Sequence, residues 1–351
     1  MKGDLESVRR VTPGSVLALH TAGLAALLLS AGLGLAIGPV EIDPIAAWSA
    51  PAADPAHVIL VGARLPRVVL GALVGGALGL AGAALQALLS NPLACPHVLG
   101  ISGGAALLGI LAMIFAPLPA VAAFGGEEGA LVLVPLAAFA GALGTAALVR
   151  AVASAAGRAT PHTLLLTGVV FNAFAAAVIT FINSIADFHR AHGILAWVVG
   201  SLTVRGAAWT WAAAATLAAG AVLLSASARD LNALALGEEG AGSLGVDVRG
   251  TRLRIYLAVA LLVAGAVPVS GMIGFVGLIV PHAVRLLVGS DQRRVLPASM
   301  WGGAVFLVLA DTAARTVLGA IELPVGVITA LCGGPFFLFL LRRQGRLEAA
   351  R

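Results

Sequence analysis

Between Arg64 and Gly104 the chain reads ARLPRVVLGALVGGALGLAGAALQALLSNPLACPHVLGISGG, and this stretch narrows the possible folds most. Gly71, Gly75 and Gly79 recur every four residues, with Gly82 close behind, so they share one helix face. A glycine inside a helix costs about 1 kcal/mol relative to alanine, which a soluble core helix has no reason to accept repeatedly. In lipid the same spacing lets a second helix approach closely. The helix holds one polar residue, Gln86, and Asn91-Pro92 marks its end as a turn. A second glycine-rich apolar run begins near Leu99.

Composition supports a membrane solvent. Only 11% of the 351 residues are charged and 60% are hydrophobic, against the roughly 25% charge of a soluble domain. Apolar runs separated by charge, Pro or Gly predict about ten spans, placed at 15–37, 65–88, 99–116, 130–149, 163–186, 206–226, 254–270, 274–288, 297–318 and 326–341. The first run is too long for a signal-peptide core and is read as a retained span. The eighth is short and glycine-rich, as a broken or partly spanning helix would be. The fold class expected is therefore all-α, a polytopic membrane bundle occupying residues 1–351 as one transmembrane domain.

Charge placement predicts orientation. With both termini in the cytoplasm, 16 of the 21 basic residues fall on the inner side, among them Arg150, Arg229, Arg252, Arg285 and Arg293. Arg64, Arg67, Arg190, Arg205 and Arg315 remain outside, and Trp48, Trp197, Trp209 and Trp211 fall near the outer interface as an aromatic belt. The arginines are scattered at span ends and form no stripe, which excludes nucleic acid as a partner. Lys2 is the single lysine, so a GxxxxGK phosphate loop is impossible and this chain does not hydrolyse ATP by that route. No metal or cofactor set is visible: no HExxH or CxxC occurs, His282 lacks a neighbouring ligand, and Met113, Met272 and Met300 suit packing. Cys95 and Cys332 read as small buried thiols.

Two connections stand out. Between Ala186 and Arg205, ILAWVVGSL reads as a short interfacial segment. The connection at about 228–254, ARDLNALALGEEGAGSLGVDVRGTR with Arg229 at its start, has Leu and Ala at helical spacing broken by Gly. It predicts two short helices and a turn, with apolar residues that want a partner.

These motifs together resemble the FecCD permease family, the membrane subunits of type II ABC importers for ferric siderophores, haem and vitamin B12. RLPR at 64–67, the helix ending at Gln86, NPLACPHVLGISGGA from Asn91, LALGEEGAGSLGV at 234–246, the 269–297 stretch with VPH and GSDQRR, ADTAAR at 310–315 and ELPVGVITALCGGPFF at 322–337 carry the likeness. The resemblance implies a ten-helix permease working as a homodimer in the bacterial cytoplasmic membrane. It implies two ATP-binding subunits inside and a solute-binding protein outside. It further implies docking of that protein by Arg64, Arg67 and Arg315, and ATPase coupling through Leu236, Gly237, Glu238, Glu239, Leu244 and Gly245. Asn91 and Leu93 would form part of a cytoplasmic gate, completed at Pro161 and His162, where the family carries small hydroxyl residues and this chain departs. Asn172, Thr180, Asn183 and Ser184 would line the path. The expected cargo is an iron chelate, with cobalamin as the alternative. An ion-coupled secondary transporter would need intramembrane carboxylates, and Asp311 is the one candidate, four residues before a neutralising Arg315.

Overall fold

In the computed structural model, residues 12–115, 126–155, 160–202, 206–319 and 321–349 are described. All their regular structure is helical. Seven helices are long and apolar enough to cross a membrane, and three shorter apolar helices, Ile101–Phe115, Val276–Val288 and Val325–Leu338, join them. The two sets match the expected ten runs.

Helix α1 (Pro13–Ala36) starts at a capping box, where the Thr12 side chain accepts from Ser15 N and the Ser15 hydroxyl accepts from Thr12 N. It is the least covered span, with Leu17, Leu24, Leu28 and Leu29 exposed. A glycine makes one of its seats: the Trp301 ring fills the notch at Gly23, and Trp301 Nε1 donates to His20 Nδ1 at 3.0 Å.

After the short helices α2 (Pro44–Ser49) and α3 (Pro55–His57), the chain winds through a π-helical stretch, Val58–Arg64, directly into α4 (Leu65–Leu88). The span is therefore 34 residues long and begins ten residues earlier than the sequence suggests. The wide turn sits where Pro66 enters α4, consistent with π-bulges appearing where the regular ladder is interrupted. Helix α4 is the axis of the bundle, with 83% of its most apolar stretch buried. The glycine face works as expected. A Cβ on Gly75 would fall on the Gly303 carbonyl, one on Gly79 on the Ser299 carbonyl, and one on Gly82 on the Gly277 carbonyl.

The chain continues through α5 (Ile101–Phe115), α6 (Gly126–Ala155), α7 (Pro161–Ile185), α8 (Phe188–Val199) and α9 (Ala207–Ala226). Short α10 (Ala228–Leu234) and α11 (Glu238–Ser243) follow, as the spacing predicted. The last four are α12 (Val248–Ser270), α13 (Val276–Val288), α14 (Gln292–Thr316) and α15 (Val325–Ala349). Helix α13 is indeed short, and Phe275 enters it at φ 66°. The glycines at 75, 79 and 303 press α14 onto α4 with almost no side chain between them.

Three expectations change. Helix α8 lies only partly at the surface: Leu195 and Val199 are exposed, but Ile194 and Trp197 are buried, and Trp197 O accepts from Met272 N at 3.4 Å. Trp197 therefore belongs to no aromatic belt, whereas Trp48 and Trp211 stand exposed. A Cβ on Gly271 would strike Trp197 O, so glycine there is what admits α8. Cys332 is exposed beside Leu331, on a face of α15 that the described residues leave uncovered.

Candidate functional site

At one end of α4 and α14, five charged residues are interlocked. Arg64 turns inward and donates from Nη1 to Leu35 O at 2.7 Å and Ala36 O at 3.0 Å, and from Nη2 to Val40 O. The Leu35 and Ala36 carbonyls end α1 and have no partner within their own helix, and Val40 lies just beyond it, so a guanidinium with five donors completes all three. Arg67 Nε donates to both carboxylate oxygens of Asp311, at 3.0 and 3.1 Å, and its Nη1 to Glu322 Oε2 at 2.7 Å. Arg315 Nε lies 3.0 Å from Asp311 Oδ2, one helical turn away, and its Nη2 donates to Gly34 O at 3.1 Å. Asp311 thus sits between two arginines, and the cluster of three cations and two anions carries one net positive charge.

Exposure separates the three arginines. Arg64 and Arg315 are 4% and 3% exposed, so in this chain neither presents its charge to a partner. The expected surface role holds no direct support in their geometry: α1's terminal carbonyls and Asp311 already occupy them. Arg67 keeps 19% of its side chain accessible and Glu322 keeps 46%. The i,i+4 spacing of Asp311 and Arg315 was legible in the sequence, but the carbonyl ring around Arg64 had no sequence signal.

Along α4, Gln86 is buried. Its Nε2 donates to Gly277 O and Leu278 O at 3.2 and 3.3 Å, and its Oε1 accepts from Arg285 Nη1 at 2.5 Å. This buried amide therefore fastens α13. Beyond it, Ser90 at φ 47° turns the chain, and Asn91 Oδ1 accepts from Leu93 N at 2.9 Å. Asn91 and Leu93 are half-buried. Pro161 opens α7 after the Thr160 cap, and its side chain lies outside the described residues; His162 is exposed. Contact between α7 and the loop after α4 is made further along, where Asn172 Nδ2 donates to His97 O at 2.5 Å. Asn172 Oδ1 and Asn183 Oδ1 are buried without a hydrogen-bond partner. Thr180 and Ser184 are exposed, their hydroxyls turned back to Ala176 O and Phe181 O. They flank an exposed apolar row of Leu166, Val170, Phe174, Phe181 and Ile185.

A hollow of about 460 Å³ opens near the N-terminus of α15, lined by Val199, Met272, Phe275, Gly326 and Leu331. Among the described residues no three His, Cys, Asp or Glu side chains gather as metal ligands would.

At the far end of α14 from the arginines, Leu236 and Leu244 are 69% and 64% exposed on the α10–α11 pair. Gly237 at φ 92° and Gly245 at φ 82° bound α11, with open space where a Cβ would stand. At those angles any L side chain strains the backbone. Glu238 pairs with Arg252 at 2.7 Å, and Glu239 is exposed. Asp230 accepts from Thr251 Oγ1 and Arg254 Nη2 at 3.2 and 3.3 Å. Asn232 Nδ2 donates to Asp291 Oδ1, and its Oδ1 accepts from Gln292 N, both at 2.9 Å. The hydrogen bonds from Arg293, with help from Asn232, hold the Asp291 carboxyl well below the usual carboxylate range. Sequence reasoning missed Asn232 and Asp291, which stand 59 residues apart.

Among the described residues, an all-helical bundle with seven spans and exposed apolar flanks defines a multi-pass membrane protein. The chain belongs to the FecCD transport family, whose model matches residues 25–343. It is 40% identical over 349 residues to an uncharacterised ABC transporter permease protein, YvrB, of Bacillus subtilis, covering 94% of each chain. It is 47% identical over 294 residues to the cobalamin import system permease protein BtuC of Halobacterium salinarum, covering 82% of this chain and 74% of that one. Identity to the hemin transport system permease protein HmuU of Yersinia pestis is 39% over 321 residues, covering 91% and 93%. A solved structure described as an inward-facing conformation of an ABC transporter assigned to the metal-chelate type matches with TM-score 0.77 and 30% identity, over 95% of this chain and all of that one. The chain is accordingly a permease of the type II ABC importer class, a transport subunit and not a catalyst.

Proposed function

We propose that this chain forms the membrane pathway for a bulky metal chelate, an iron chelate such as haem or a ferric siderophore in the first reading, as a homodimer in a bacterial cytoplasmic membrane. Both termini face the cytoplasm, as the inner excess of arginine favours. Two ATP-binding subunits dock on the 228–254 segment, and a solute-binding protein docks at the arginine end. The observation that carries this reading is the α10–α11 pair, on which Leu236 and Leu244 are exposed and uncovered by any of the described residues. Apolar side chains fixed in that way suit the cleft of a partner. Leu236, Gly237, Glu238, Glu239, Leu244 and Gly245 make the contact.

Docking at the other end works through Arg67. An acidic group on the binding protein competes with Glu322 for it, while Arg64 and Arg315 hold the platform. The gate comprises Asn91 and Leu93 with Pro161 and His162, and the exposed Thr180 and Ser184 line the path with Asn172 and Asn183. Weak contacts serve release, since tight binding in a channel traps its cargo. A cobalamin cargo is the second reading, favoured by the 47% identity to a cobalamin permease. Binding of haem, cobalamin and several ferric siderophores by the cognate binding protein, followed by uptake into proteoliposomes, separates the two.

A further inference from the structure

Helix α10 is anchored by more than its buried Leu231 and Leu234. Of its polar residues, Asp230 reaches α12, and Asn232 reaches α14. The Asn232 contact is bidentate. Its amide N–H donates to Asp291, the N-cap of α14, and its carbonyl accepts from Gln292 N, the first N–H of that helix. Asp291 itself serves Arg293 N at 2.9 Å. Two different side chains therefore complete adjacent N–H groups that a helix leaves without internal partners, and one of them is delivered by another element. An asparagine, with a donor and an acceptor side by side, matches this pair of groups; aspartate, with acceptors alone, would meet the Asp291 carboxylate. Helix α14 transmits what it receives, because its glycine-notched seat on α4 leaves little slack and its other end holds Asp311 and Arg315.

We propose that Asn232 is a positioning residue that ties the coupling segment to α14, so that displacement of α10 by the ATP-binding subunits moves α14 with it. This rests on the reading that the 228–254 segment docks those subunits. The alternative tie, Glu238 to Arg252, joins α11 to α12 and is far more exposed, so it gives α14 no direct lead.

The test uses the assembled transporter in proteoliposomes with its binding protein. Asn232→Asp sets two carboxylates against each other and removes the donor. We expect cargo transported per ATP hydrolysed to fall at least fivefold, while the ATP-binding subunits co-purify normally and basal ATPase stays within twofold. The exchange Asn232→Asp with Asp291→Asn rebuilds the lost side-chain bond with donor and acceptor reversed, while position 232 still accepts from Gln292 N, and should recover at least half of the lost coupling. A wild-type transport-to-ATP ratio in N232D, or no recovery in the exchanged pair, overturns the proposal. If N232D does not assemble, Asn232→Ala removes both bonds without adding charge and must show the same fall in the ratio. Leu236→Glu controls the underlying reading: normal co-purification in L236E would sink the docking of this segment, whereas blocked co-purification in L236E beside normal coupling in N232D would sink the Asn232 assignment alone.

Discussion

Asp311 shows how much one side chain does in this protein. It is 2% exposed and lies between the guanidinia of Arg67 and Arg315. Removing one member of a buried charged set costs about 3–5 kcal/mol because the partners are left uncompensated. Asp311→Ala should therefore lower the thermal midpoint of the purified protein sharply, while Glu322→Gln, at a half-exposed position, should change it little; equal midpoints for D311A and wild type would contradict the network. Asp291 gives a pH dependence of definite sign. Its folded pKa is depressed, so its contribution is present above the unfolded value of about 3.9 and is lost as pH falls through the folded value. The destabilisation caused by Asp291→Ala should be constant from pH 8 to about pH 5 and shrink only below about pH 4, as melting curves at several pH values would show.

At the scale of elements, the glycine face of α4 is the clearest case of structure legible in sequence. Spacing of four specified a close helix contact, and α14 and α13 fill it through backbone carbonyls. Because the obstacle is backbone, it cannot swing aside as a side chain would. Gly79→Leu should cost about 3 kcal/mol or more and abolish folded yield, whereas Gly144→Leu, facing open space, should be tolerated. The α10–α11 pair was legible for the same reason: a local period broken by glycine. What stayed hidden was long-range pairing. Arg64 looked like an outward cation because its partners are backbone carbonyls of another helix. Trp197 looked interfacial because burial of α8 depends on glycines at 271 and 326 that lie far along the chain. Neither a charge count nor a period of 3.6 reports such contacts. The α11 hinge carries its own prediction. Gly245→Val forces an L side chain to φ 82° and should reduce transport per ATP with little effect on the remaining fold. Unchanged coupling in G245V would show that the shape of this turn is immaterial to it.

For the whole molecule, the account joins two ends of one bundle. Arg67→Glu should weaken binding-protein association several-fold and flatten its salt dependence, since exposed ion pairs act mainly on encounter and register. The same affinity and salt slope in R67E would leave the cluster as an internal clamp only. Between the ends lies the choice of energy source. Asp311, the one intramembrane carboxylate singled out as a proton relay, is held between Arg67 and Arg315, which suits a structural charge and not a carrier. The most direct measurement is therefore uptake of labelled chelate by proteoliposomes holding this chain with its ATP-binding subunits. Accumulation should require internal-side ATP and the binding protein, and should persist when the proton and sodium gradients are collapsed. Uptake by this chain alone, driven by an imposed ion gradient without ATP, would contradict it.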